Sequence, residues 1–299
     1  MVSSRPTYVE YIADPARSCA IVAHRGVWAT APENSLLAIE TAIEAGYEVV
    51  EIDVRRSADG EFFLLHDDTL ERMASLNLVP EQLSLEQLSR LRLRDRDGGV
   101  ANRVTDQKIP SLKEVFALTR DRIFLDLDIK DNEMLPDVIA CARAMGVADQ
   151  VDFKADLKTR QDLAWILAAM EPHRVPFMAK THLEASDADL QLELLFGLAP
   201  FMCEISFARL DQLADRKRLF REAGIALWVN TLDAVSSAGF TDTAARDDPE
   251  GIWGRLIDAG VLAIQTDYPD RLRALLDRRM RREAVGKGTP AMGALPSRG

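Results

Sequence analysis

The chain has no apolar run approaching the roughly 20 consecutive residues that a membrane-spanning helix needs, which argues against a membrane anchor. Residues 1–17 also lack the basic start and apolar stretch of a secretory signal, so the expected compartment is the cytoplasm. Cysteine is scarce. Cys19, Cys141 and Cys203 are odd in number, far apart and set among apolar residues, which fits reduced core thiols better than a disulfide scaffold or a zinc site. Positive charge is in deficit: 37 Lys and Arg against 48 Asp and Glu leave a formal charge of -11. A general nucleic-acid partner is therefore not expected, because gripping a phosphate backbone takes a basic face. Neither a Gly-rich dinucleotide loop nor a P-loop is present.

What remains is an ordinary globular composition, 47% hydrophobic and 28% charged over 299 residues. Short apolar runs at 20–23, 48–54, 123–129, 151–154, 177–180, 201–206, 225–230 and 261–266 alternate with stretches of helical period. Those stretches include 34–45, 112–120, 134–145, 157–170, 189–198 and 210–223. Ser111 and Glu114 form a capping box, Gly46, Gly146 and Gly224 follow helical segments, and Pro269 suits a first helical turn. Eight strand-helix units predict an α/β fold, a closed (β/α)8 TIM barrel rather than an open doubly wound sheet. A ninth strand at 61–65 follows too soon for a crossover helix, and Ala58-Asp59-Gly60 is a turn signal. An extra β-hairpin strand is therefore expected after the second strand, with His66 beside Ile52 and Asp53 at the barrel mouth. Residues 67–110 read as a small insertion over the mouth, with one weak helix at 83–93 and a polar loop at 94–107. The expected organisation is one barrel domain over 1–277 and a basic, disordered tail over 278–299.

Residues two apart on a strand share a face, so Glu51 and Asp53 point into the barrel while Val50, Ile52 and Val54 point to the helices. The same parity sends Asp126, Asp128 and Lys130 inward. Clustered carboxylates repel unless a cation or proton compensates, and an all-oxygen set selects a hard ion, Mg²⁺ or Ca²⁺. Glu51, Asp53 and Asp128 are the proposed metal ligands, with Asp126 one pleat deeper as a supporting group or a lysine's partner. His24 and His66 end strands at the mouth, where one can activate a nucleophile and the other protonate a leaving alkoxide. Arg25 offers a planar fork and Lys130 a point charge for a phosphate. Glu33 is a possible substrate contact, and Asn34 either that or the N-cap of the first helix. Trp228 and Asn230 share a face, where Trp228 reads as a substrate wall or as core. Lys154, Lys180 and Glu204 also end strands, Lys154 as part of that wall or in ion pairs; His173 and His182 receive no role.

Taken together, His24-Arg25-Gly26, Pro32-Glu33-Asn34-Ser35, Glu51-Ile52-Asp53-Val54, Asp59-Gly60 and His66-Asp67-Asp68-Thr69-Leu70-x-Arg72 closely resemble the glycerophosphodiester phosphodiesterase family. The resemblance continues through Ile109-Pro110-Ser111-Leu112-x-Glu114-Val115, Asp128-Ile129-Lys130, Trp228 to Asn230 and Thr266-Asp267-Tyr268-Pro269-Asp270. It implies a phospholipase C-like phosphodiesterase barrel with His24 and His66 as acid and base, Arg25 and Lys130 on the phosphate, and Glu51 and Asp53 on Mg²⁺ or Ca²⁺. The family usually has glutamate where this chain has Asp128; a branch resembling sphingomyelinase D-type phospholipases has aspartate there. The Trp-Thr-Val-Asn of the family is here Trp228-Val229-Asn230-Thr231. The implied activity is metal-dependent hydrolysis of a small-molecule glycerophosphodiester to sn-glycerol 3-phosphate and an alcohol, a reaction of lipid and glycerol metabolism. The rivals are a phosphodiesterase of the same group acting on lysophospholipid, sphingolipid or phosphoinositide, and a catalytically silent barrel that only binds phosphodiesters.

Overall fold

Apolar runs of strand length recur along the chain, and each forms a strand where a parallel neighbour can cover both faces. The computed structural model describes residues 5–170 and 173–287. Its strands are β1 (Ala20–His24), β2 (Val49–Arg56), β3 (Phe62–Leu64), β4 (Arg92–Arg94), β5 (Val104–Lys108) and β6 (Phe124–Ile129), followed by β7 (Val151–Asp156), β8 (Phe177–His182), β9 (Met202–Ser206), β10 (Ala226–Asn230) and β11 (Val261–Thr266). The parallel order β1-β11-β10-β9-β8-β7-β6-β2 closes through a β1–β2 pairing into the expected eight-stranded barrel. Outward residues such as Val50, Ile52, Val54, Leu125 and Leu127 pack under the surrounding helices.

The hairpin also forms. β3 runs antiparallel to the upper half of β2, pairing Leu64 with Val54, on the edge whose lower half pairs with β1. The Leu65 amide then donates to the Asp53 carbonyl at 3.2 Å, which returns His66 to the level of the inward acids. The insertion carries its own small core of Phe63, Leu65, Leu70, Met73, Leu88, Leu93 and Ile109. Its detail departs from expectation. The helix predicted at 83–93 is a single turn, Leu85–Leu88, started by a Ser84–Gln87 capping box. The predicted polar loop at 94–107 contains β5, paired antiparallel with β4. That ribbon buries only Leu93 among its residues, so it leaves almost no hydrophobic alternation in the sequence.

The barrel's lower end is sealed by a short helix, Tyr8–Ala13, absent from the sequence reading although Thr7 and Glu10 make a capping box. Six residues are too few to show a helical period. Tyr8 stacks on Phe124 with ring centroids 4.6 Å apart, and Tyr8 and Ile12 close over Ala20, Val22, Val49, Met178, Met202, Trp228 and Ala263. This settles Trp228 as core: it is 0% exposed and cannot be the substrate wall. Its Nε1 donates to Asn230 Oδ1 at 2.7 Å. Trp228→Ala should cost about 3–5 kcal/mol, read as a lowered midpoint in urea unfolding, because the plug cannot collapse into the space left.

Two further differences concern helices. The stretch 210–223 divides into Asp211–Ala214 and Lys217–Glu222. The last helix runs Pro269–Lys287, so 278–287 is helical where a disordered tail was expected. Arg279 on that helix pairs with Glu250 and Asp258, which fixes it against the preceding helical turns. The remainder of the expected tail, 288–299, lies outside the described residues.

Candidate active site

The tips of β2 and β6 set the frame. Register places Asp53 opposite Asp128 and Glu51 opposite Asp126. Oxygens of Glu51, Asp53 and Asp128 lie within 4.8 Å of one another, a spacing that one hard cation can bridge. Burial, with Asp53 next to it, pushes the Glu51 carboxyl well above the ordinary range. Burial also works against Asp53, but Lys130 and Arg25 hold its carboxyl below the usual value. Asp128 is likewise held low against burial by Lys154 and Lys130. Three converging acids with oxygen donors only, one of them with its carboxyl raised by burial and by Asp53, fit a hard divalent ion that would offset their mutual repulsion.

Asn34 does not cap the first helix. Ser35 does, its hydroxyl accepting from the Ala38 amide at 3.1 Å. Asn34 takes a left-handed backbone, φ 56°, and grips Asp53 twice: Nδ2 donates to Oδ2 at 2.7 Å and Oδ1 accepts from the Asp53 amide at 3.1 Å. The turn before it is equally constrained. Arg25 has φ 55° and Gly26 φ 83°, and a Cβ on Gly26 would come 2.7 Å from the Ala38 carbonyl carbon. This turn swings Arg25 off the end of β1 so that its Nε lies 3.2 Å from Asp53 and its Nη1 donates to Glu33 at 3.0 Å. Glu33 also receives Arg72 Nη2 at 2.6 Å, so it orders two arginines as well as lining the cleft. Lys130 Nζ sits 2.5 Å from both Asp53 and Asp128.

Both candidate histidines are oriented the same way. His24 Nδ1 lies 2.7 Å from Asp267 Oδ1, and His66 Nδ1 lies 2.8 Å from Asp67 Oδ1. A carboxylate accepts only, so each Nδ1 is the donor and each Nε2 is left for other partners. His24 Nε2 is 4.0 Å from Glu51. Asp67 is fixed in turn by Arg72, whose Nε donates at 2.7 Å. Asp267 receives Trp28 Nε1 at 3.0 Å, and its own amide donates to buried Asp242 at 2.7 Å. Asp242 also accepts from Thr231 and Thr266, tying the ends of β10 and β11 together. Asp267→Asn should therefore lower turnover about 10- to 100-fold and move the pH profile while leaving the fold intact, because an amide accepts the Nδ1 proton poorly. A pH-rate series on the variant checks this.

The floor of the cleft is a second charge network. Lys154 is buried yet lines the cleft, with Nζ 2.8 Å from Asp126, 3.5 Å from Glu204 and 3.7 Å from Asp128. Asp126 is thereby the lysine partner that the parity argument allowed. Asn230 Nδ2 donates to Glu204 at 3.1 Å. Lys180, Glu204, Asn230 and Gln265 complete a cleft of about 550 Å³ together with His24, Arg25, Glu51, Asp53, His66, Asp128 and Lys130. The aromatic at this mouth is Trp28, not Trp228. His182 belongs to an adjoining lobe, paired with Ser206 and Asp156, while His173 lines a groove with Thr7 and Phe201 away from the mouth.

Comparison with known proteins bears on the fold that carries this geometry. A glycerophosphodiester phosphodiesterase of Caldanaerobacter subterraneus subsp. tengcongensis is 32% identical over 118 residues, 38% of this chain and 46% of that protein, so the matched segment spans about half of the relative's length. An uncharacterized protein of Bacillus subtilis is 28% identical over 275 residues, 86% of this chain and 98% of that one. Among solved structures, a phosphodiesterase of Oleispira antarctica in complex with the product sn-glycerol-3-phosphate superposes with a TM-score of 0.64 at 21% identity, over 87% of this chain and 97% of the other. Over 38% of its length the chain is similar to named glycerophosphodiester phosphodiesterases, and it shares its fold with a solved phosphodiesterase.

A family described as a domain of unknown function also matches, over residues 177–276. That segment carries β8 to β11 and with them Lys180, Glu204, Asn230, Gln265 and Asp267. The acids, His24 and His66 lie outside it, in the part of the chain where the family motifs are densest. Of the residues given no role from sequence, Asp67, Arg72 and Asp267 stood inside quoted motifs, whereas Asp242 and Gln265 carried no motif signal.

Proposed function

We propose that this protein hydrolyses glycerophosphodiesters to sn-glycerol 3-phosphate and an alcohol in a cleft that holds one divalent cation, Mg²⁺ or Ca²⁺, on Glu51, Asp53 and Asp128. One observation carries the reading: two imidazoles, each with Nδ1 occupied by its own carboxylate, flank an arginine and three converging acids. In such a site Arg25 and Lys130 hold the phosphate oxygens. One imidazole Nε2 takes the proton of the attacking hydroxyl while the other, protonated, gives its proton to the departing alkoxide. Asp267 and Asp67 keep both rings aimed and stabilise whichever is cationic. A divalent cation held by Glu51, Asp53 and Asp128 would supply Lewis-acid neutralisation of the phosphate charge.

The lining favours a deacylated substrate over a lysophospholipid or sphingolipid. Charged and amide side chains cover the floor, and the aliphatic residues Leu232, Ala234 and Val235 are confined to one rim. The product held by the Oleispira protein is a further support for a glycerol phosphate in a barrel of this shape. The test is to incubate the purified protein with glycerophosphocholine, glycerophosphoethanolamine, glycerophosphoglycerol and lysophosphatidylcholine, with Mg²⁺, Ca²⁺ or EDTA, and to measure glycerol 3-phosphate enzymatically. Release from the three deacylated diesters is expected. Binding of diesters without release of any product would instead establish a silent barrel, and choline release from the lysolipid alone would move the activity to that class.

A further inference from the structure

Gln265 lies on β11 one pleat above Ala263, whose methyl belongs to the sealed lower core, and shares its inward face. It is 3% exposed and lines the cleft, and its Oε1 accepts no hydrogen bond from the described residues. Its neighbours are already committed. Asn230, paired with it across β10, accepts from Trp228 and donates to Glu204. His24, on the other adjoining strand, is held by Asp267. Lys154, across the barrel on β7, is held by Asp126. A buried amide oxygen without a partner destabilises a fold, and a hydrophobic side chain of the same length would remove that cost. The sequence nevertheless places an amide where the strand faces the cleft.

We propose that Gln265 determines specificity by hydrogen bonding a hydroxyl of the glycerol half of the substrate. A hydroxyl both donates and accepts, so it can satisfy Oε1. The barrel order puts β9 and β10 across from β2 and β6, with β11 between β10 and β1. A glycerol lying over the floor from the carboxylates toward β10 therefore reaches Asn230 and Gln265. An alkyl group in the same place would leave the amide buried and unpaired, which is how a polar pocket rejects an apolar analogue. This rests on the phosphodiesterase reading for the identity of the ligand, and it selects for free hydroxyls through the chain's own residue rather than through the cation.

The experiment compares sn-glycerol 3-phosphate with n-propyl phosphate, which has the same chain length and no hydroxyls, by calorimetric titration of the Ca²⁺-loaded protein. The wild type should favour glycerol 3-phosphate by about tenfold or more. In Gln265→Met that preference should fall toward one, with propyl phosphate bound as before and the melting temperature of the ligand-free protein equal or higher. Gln265→Leu gives an independent second variant with the same expectation. Retention of the preference in either folded variant overturns the proposal, and so does equal weakening of both ligands with a lowered melting temperature, the signature of a structural glutamine. Failure of the wild type to distinguish the two ligands also overturns it. Turnover of glycerophosphocholine is scored separately: turnover with a preference insensitive to Gln265 sinks this proposal alone, and a Gln265-dependent preference without turnover sinks only the hydrolytic reading.

Discussion

Replacement of His24 or of His66 by alanine is expected to lower kcat on glycerophosphocholine by at least ~100-fold, with KM changed little. The expectation follows from where the rings stand. Each has one nitrogen fixed on a carboxylate and the other presented to the cleft, so each variant removes a proton acceptor or donor without removing a phosphate contact. Arg25, Lys130 and the three acids stay in place, held by contacts that do not pass through either imidazole. In the proposed mechanism the two rings serve proton transfers of one turnover, so the double variant should be scarcely worse than the poorer single one. A steady-state comparison of the three variants tests this, and two independent losses that multiply would contradict it.

Removal of divalent cations is the second large effect. EDTA should abolish turnover, and Mg²⁺ or Ca²⁺ should restore it, whereas Asp53→Asn should stay inactive at any practical cation concentration. Asp53 is central to this prediction because Asn34, Arg25 and Lys130 all converge on it. The pH dependence has a definite sign. Burial, and then Asp53 beside it, raises the Glu51 pKa, so the folded protein holds a proton on Glu51 to higher pH than the unfolded chain does. That group favours the fold below its unfolded pKa and ceases to do so as pH rises through the raised folded value. A cation on Glu51 would compete with that proton, so affinity should weaken as the solution is acidified, with proton release on binding visible in calorimetry. Affinity independent of pH would show that Glu51 is not among the ligands.

Much of this site was legible because strands convert spacing into direction. Glu51, Asp53 and Asp128 could be aimed inward by parity alone, and the Ala58 to Gly60 turn sufficed to bring His66 back to their level. Parity does not give depth. Trp228 does share a face with Asn230, yet it sits one pleat lower, under a helix too short to show a period, and so it belongs to the core. Asn34 has the residue type and position of an N-cap, but its left-handed backbone turns the amide onto Asp53 and leaves the cap to Ser35. Asp267 stood in a quoted motif, but its pairing with His24 could not be read from it. Asp267 lies 243 residues away, and only closure of β1 against β11 brings the two together.

The most direct test of the account is phosphorus NMR of glycerophosphocholine mixed with the protein and Mg²⁺. The diester resonance should give way to a phosphomonoester resonance matching sn-glycerol 3-phosphate, and EDTA should stop the conversion. An unchanged diester resonance, with folded protein and bound cation verified in the same sample, would contradict the account.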